Sequence, residues 1–142
     1  MFERFTESAR RSVFFARGAA IELGSPTIEP HHLLLAILRE LQTPGRTNDL
    51  PSVTASLHVE VETSVKWDST HKEGDVPFSP ATKRVLVYSE QEANDLHHFH
   101  IGPEHLLLGV LRGDERLAAE LKSEGVTLQG IRTLAAEANP QP

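Results

Sequence analysis

Cysteine is absent from the sequence, and methionine, tryptophan and tyrosine occur once each in 142 residues. Without cysteine there is no disulfide, no thiolate metal site and no cysteine nucleophile. Basic side chains are in deficit as well: 14 lysines and arginines stand against 20 acidic residues, for a formal net charge of −6. That balance argues against sequence-independent binding to nucleic acid, which depends on neutralising phosphates, although Arg4, Arg10, Arg11 and Arg17 lie close together. No apolar run approaches the roughly 20 residues that cross a bilayer. The opening MFERFTESARR carries charges where a signal peptide needs an apolar stretch. The expectation is a cytoplasmic protein that binds neither membrane nor nucleic acid. Three catalytic signatures are also missing: the GxxxxGK[ST] phosphate loop, the GxSxG elbow and the HExxH pair. An ATP-driven motor is therefore excluded, and neither a catalytic residue nor a cofactor is expected.

What the chain does have is the same phrase twice. Residues 28–39 read IEPHHLLLAILR and residues 101–112 read IGPEHLLLGVLR, at an offset of 73. Held without a gap, that offset matches Phe5 with Phe78, Arg11 with Arg84, Ala20 with Ala93, Leu23 with Leu96 and Arg39 with Arg112, giving 12 identities over positions 5–40. Many of the remaining pairs are conservative, such as Thr6 with Ser79 and Val13 with Leu86. This is an internal duplication, and it fixes the fold class before any single motif is weighed.

Each copy has a helical period. Ala9, Val13, Ala16, Ala20 and Leu23 recur at steps of three and four, which places them on one helix face. Ser79-Pro80 supplies an N-cap followed by proline at the first helical position. Pro30 and Pro103 open a second helix in each copy, and its leucine run is too dense for a one-faced surface helix, so burial on most sides follows. Asp114 caps a further helix that Gly125 stops, and Thr127 caps a last one with Leu128, Ile131 and Leu134 inward. The first copy has residues 51–57 and 59–67 in the same roles. The expected architecture is all-α: two pseudo-symmetric four-helix repeats, about eight helices, over residues 1–67 and 78–138, with a linker at 68–77 and a tail at 139–142. Neither repeat alone offers much core, so the two should pack as one domain.

With MFERFT at residues 1–6, FSPATKR at 78–84 and the paired leucine-rich phrases, the chain resembles the Clp N-terminal domain. That family is the all-helical double-repeat module at the head of Clp-type AAA+ unfoldases, and the pattern is most like its ClpC branch. The resemblance covers essentially residues 1–138. It implies a non-catalytic protein- or peptide-binding module of the Clp protease system, an accessory, adaptor-binding or decoy protein. Its partners would be a Clp ATPase, adaptors or tagged substrates, including arginine-phosphorylated proteins. The alternatives are a helical interaction protein that kept the fold and lost the ligand sites, or a fragment of a ClpC-type unfoldase; the ending NPQP and the divergent first repeat lean toward a free-standing chain.

The resemblance also implies where a ligand would sit. Related domains bind phosphoarginine at two repeat-related sites, with a glutamate of the G-[TP]-E-H stretch toward the guanidinium and a hydroxyl plus helix N-terminal amides toward the phosphate. Both halves of that scheme are physically sound. In the second repeat Ser79 and Glu104 match. In the first Thr6 matches, but His31 replaces the glutamate, so one site is implied and its twin is in doubt. A plainer reading of Glu104 is that an acid one residue inside a helix favours the macrodipole. His32 and His105, equivalent in the two copies, read as structural histidines bonded to nearby backbone. His97, His98 and His100 cluster in a loop without the i, i+4 spacing of a helical zinc pair, so no metal is expected.

Overall fold

The structure is a computed structural model and describes residues 2–41 and 76–138. Six α-helices lie among the described residues: α1 Glu7–Glu22, α2 Pro30–Leu41, α3 Pro80–Asp95, α4 Pro103–Gly113, α5 Glu115–Ser123 and α6 Leu128–Ala138. The all-helical expectation holds for them, with six helices rather than about eight. The two further helices expected at 51–57 and 59–67, and most of the linker, lie outside the described residues.

Local chemistry accounts for the helix ends. Thr6 caps α1 by accepting the amide of Ala9 at 3.1 Å, and Ser79 caps α3 by accepting that of Thr82 at 3.2 Å. Asp114 Oδ1 accepts from the Leu117 amide at 2.9 Å to start α5, and Thr127 Oγ1 from the Gly130 amide at 3.1 Å to start α6. After α1 the chain turns through Gly24 at φ 72°; after α3 the equivalent residue is His97, at φ 60°. That left-handed geometry is free to glycine and costs a side-chain-bearing residue roughly 1 kcal/mol.

Packing follows the duplication. α1 lies against α2 and α3 against α4, while α2 and α4 meet in the shared core. Every residue from Pro103 to Leu111 is buried, as the density of leucines in that stretch requires. Ala9, Ala16 and Ala20 face inward on α1 as the period predicts, but Leu23 does not: it is 48% exposed. Its position is the C-cap, one residue past the helix, where the turn at Gly24 carries it off the buried stripe. Ile131 is buried on α6, with Leu128 and Leu134 partly buried beside it.

Two carboxylates inside the core are fully engaged. Glu92, 1% exposed, takes both oxygens to Arg132 at 3.0 and 2.9 Å and receives Arg112 at 3.1 Å, which ties α6 and α4 to α3. The Arg132 hydrogen bonds hold its acid below the ordinary carboxylate range although burial opposes this. Glu40 is held likewise by Arg11 and by Ser8 at 2.6 Å. Arg4 donates to the carbonyls of Phe99 and His98 at 2.7 and 3.0 Å. Of the four clustered arginines, Arg4 and Arg11 thus serve the fold itself, and Arg10 reaches the Phe2 carbonyl at 3.4 Å.

Among the described residues there is no strand, but two isolated parallel bridges join the halves: Phe5 with Ile101, and Ile28 with Phe78. The offset of 73 carries one pair onto the other. Each stretch leading into a first helix is therefore fastened to the loop leading into the other repeat's buried helix.

Candidate functional site

Those bridges decide which side chains meet. The Thr6 amide donates to the Ile101 carbonyl at 3.0 Å and the Ile101 amide to the Arg4 carbonyl at 2.8 Å. This register sets the Thr6 hydroxyl over Gly102: a methyl group built on Gly102 would lie 3.8 Å from Thr6 Oγ1 and 3.3 Å from Glu104 Oε1. Thr6 from the first repeat and Glu104 from the second therefore share one neighbourhood, at the start of α1. Glu104 is the second residue of α4 and is buried, at 6% exposure. Gly102 is extended, at φ −105° and ψ −177°, so the backbone would admit any residue there; what glycine leaves is room between the two side chains.

The mirror arrangement brings Ser79 to the loop before α2. The Ile28 amide donates to the Pro77 carbonyl at 2.8 Å, and the Ser79 amide to the Ile28 carbonyl at 3.1 Å. Ser79 is thus set beside Glu29, which occupies the position that Gly102 holds in the other copy. The repeat-by-repeat grouping, Ser79 with Glu104 and Thr6 with His31, gives way to a grouping across the repeats, because the bridges exchange the loops. His31 is exposed, at the second position of α2, with its ring 4.1 Å from that of His32.

Two residues of the second neighbourhood escaped sequence reasoning. Glu29 accepts from the hydroxyl of Thr27, and that bond leads the effects that hold its acid below the ordinary carboxylate range, against burial and with the nearby Ser79 adding to it. Thr82 donates from its hydroxyl to the Ile28 carbonyl at 2.7 Å and lies 3.1 Å from Ser79 Oγ. The pairing of Glu29 with Gly102 in the ungapped repeat was the available signal, since it sets an acid opposite a glycine one residue before each helix-opening proline.

The histidines behave as backbone partners. His32 Nδ1 accepts the Glu29 amide and His105 Nδ1 accepts the Gly102 amide, each at 2.9 Å, the reach-back of a capping box. With Nδ1 accepting, His105 carries its proton on Nε2, which faces His98 Nδ1 at 2.9 Å. Burial pushes both His32 and His105 down to about 4, so the neutral rings are the folded form. His98 is spent on this pair rather than turned toward His97 and His100; no cluster of metal-ligating side chains occurs among the described residues.

The model of the Clp repeat (R) N-terminal domain matches residues 4–124. The chain belongs to the Clp N-terminal domain family. Chloroplastic chaperone protein ClpC of Pisum sativum is 39% identical to this Clp N-domain over 137 residues, and ClpC1 of Oryza sativa subsp. japonica is 40% identical. Each alignment covers 94% of this chain and 15% of the relative, so the chain spans about a seventh of their length. Among solved structures, the N-terminal domain of ClpD from Arabidopsis thaliana superposes with a TM-score of 0.65 at 26% identity, covering 96% of this chain and 95% of that one. The Hsp104 N-terminal domain of Candida albicans shares the fold at a TM-score of 0.62 and 20% identity, over 95% and 91% of the two chains. In this Clp N-domain, then, the two hydroxyl-capped helix starts are the shared frame, and the loops facing them carry the differences.

Proposed function

We propose that this Clp N-domain is a non-catalytic protein-binding module of the Clp proteolytic system that recognises arginine-phosphorylated segments through Thr6 and Glu104. One observation carries the reading: a hydroxyl at a helix start and a carboxylate both flank Gly102, a residue with no side chain. A phosphorylated guanidinium has complementary chemistry at both ends. Its phosphoryl group suits the Thr6 hydroxyl and the unpaired amides and positive dipole end of α1, and its guanidinium suits a two-point bond to the Glu104 carboxylate. Buried surroundings strengthen both contacts relative to water. Adaptors or substrates would present the modified arginine, and a Clp ATPase would be the machine served. Among the described residues no helix is long and apolar enough to cross a membrane; the cytoplasm is the place of action this reading assumes, the chloroplast belonging to the named relatives.

Calorimetry against phosphoarginine, with arginine and phosphoserine as controls, tests it. One site per chain is expected, lost in Glu104→Ala with the removal of a charge-assisted bond of about 1.5–3 kcal/mol and weakened in Thr6→Ala. Absence of binding, or binding untouched by Glu104→Ala, would turn the assignment toward an interaction protein that has lost the ligand.

A further inference from the structure

The twin neighbourhoods share a backbone and differ in what fills it. Before α4, Gly102 leaves the space between the Thr6 hydroxyl and the Glu104 carboxylate clear of any side chain of its own. Before α2 the same position is Glu29, held by the same backbone bond, its amide on His32 Nδ1 at 2.9 Å as the amide of Gly102 is on His105. The Glu29 side chain therefore starts from the point where a group on Gly102 would enter the cradle. Its carboxylate ends on the hydroxyl of Thr27, and Ser79, the N-cap of α3, is fastened beside it by its amide on the Ile28 carbonyl at 3.1 Å. Ser79 is 5% exposed, and its hydroxyl has the hydroxyl of Thr82 at 3.1 Å, a position that the other copy gives to Ala9.

We infer that Glu29 is a built-in occupant of the anion cradle at the start of α3, its carboxylate standing where the Thr6 cradle receives the phosphoryl group of a ligand, so that the chain presents one site instead of two. The inference rests on reading Thr6 and Glu104 as a ligand site. A carboxylate at a helix start meets the same amides and dipole that a phosphoryl group would. Because it is tethered, it competes at a high effective concentration that a dilute ligand cannot match. Its negative charge also repels an incoming anion. With the cradle filled, a glutamate at position 31 would have no guanidinium to hold, which accounts for His31 as well. Restoring that glutamate alone should then leave the site closed.

The test is made in the Glu104→Ala background, where the Thr6 site is silent. Glu29→Gly/His31→Glu should bind one phosphoarginine per chain by calorimetry, whereas His31→Glu alone should bind at least about ten-fold more weakly. Equal affinities in these two variants would overturn the inference. So would failure of both to bind while the unmodified protein binds through Glu104. A separate arm uses inorganic phosphate on the otherwise unmodified chain: Glu29→Gly should gain a phosphate-dependent rise in Tm that neither the wild type nor the shape-conserving Glu29→Gln shows. Without that rise the cradle was not filled by Glu29, whereas a rise in a protein that ignores phosphoarginine would uphold the plug and discard only the phosphoarginine reading. Glycine is the residue the twin loop carries, and circular dichroism checks that each variant keeps its helices.

Discussion

The backbone amide of Thr6 donates to the carbonyl of Ile101 at 3.0 Å, so the residue that caps the first helix of one repeat is fastened to the loop entering the buried helix of the other. The amide of Ser79 does the same to the carbonyl of Ile28 at 3.1 Å. Two consequences follow from this exchange. The halves cannot behave as separate beads, because each repeat's helix start is completed by the other. Any ligand seated at a helix start touches both repeats, so its binding reports on how they are joined.

The shared core sets the first expectation. Leu107 is fully buried on α4, and its partner Leu34 on α2 is 6% exposed. Leu107→Ala should cost about 2–5 kcal/mol in a urea titration, with Leu34→Ala toward the lower end because part of its surface already meets water. A loss below about 1 kcal/mol for Leu107→Ala would mean that α4 does not occupy the centre.

The crossing of α3 and α4 gives a second. A methyl group on Gly109 would lie 2.2 Å from Ser89 Oγ and 2.3 Å from the Val85 carbonyl oxygen. The serine could turn away but the carbonyl cannot, so Gly109→Ala must push the helices apart. The expected destabilisation is about 1–3 kcal/mol, and adding Ser89→Ala should not recover it. The other repeat carries Ala36 at this position, where its helix pair has Ser12 and Ala16 instead of Val85 and Ser89. Full recovery in the double variant would show that the clash is with the hydroxyl alone.

Much of this frame is readable from residues taken in order. The caps at Thr6, Ser79, Asp114 and Thr127, the prolines opening α2 and α4, and the all-round burial of α4 each depend on a few neighbouring side chains. The offset of 73 relates the two copies without any structure. What a local pattern cannot carry is which loop faces which helix start, since the Phe5–Ile101 and Ile28–Phe78 bridges join residues from opposite halves. Periodicity is silent on that, and the natural grouping by repeat pairs Ser79 with Glu104, where the structure sets Thr6. Leu23 shows the other limit: its spacing suits the buried stripe, but the helix stops one residue short of it.

The buried histidines give the protein an acid limb. His32 and His105 are neutral in the folded chain, where burial lowers them from 6.5 to about 4. The unfolded chain takes up a proton at each near 6.5, while the folded chain waits until about 4. Stability is therefore complete above pH 6.5 and falls as pH drops from there toward 4, by up to about 3 kcal/mol for each ring. His32→Gln/His105→Gln keeps an acceptor able to reach back to the Glu29 and Gly102 amides, as in a capping box, and removes the titration. Urea midpoints measured from pH 7.5 to 4.5 should slope downward in the wild type across that window and flatten in the variant. Parallel slopes would assign the acid limb to another ring, such as His98, which burial also lowers from 6.5.

Gly102 separates the ligand reading from a purely structural one. Its backbone is extended and admits alanine without strain, so Gly102→Ala should leave the thermal midpoint nearly unmoved. The added methyl would nonetheless stand 3.3 Å from Glu104 Oε1 and 3.8 Å from Thr6 Oγ1, in the space that the proposed phosphoarginine site would use. Phosphoarginine affinity should fall by about ten-fold or more, equivalent to roughly 1.4 kcal/mol, since the ligand either meets the methyl or finds the carboxylate displaced. Calorimetry and thermal denaturation on the same preparation read the two effects apart. Wild-type affinity in Gly102→Ala would show that a bound phosphoarginine lies elsewhere on the protein, and a collapse of stability without ligand would show that the glycine serves packing alone.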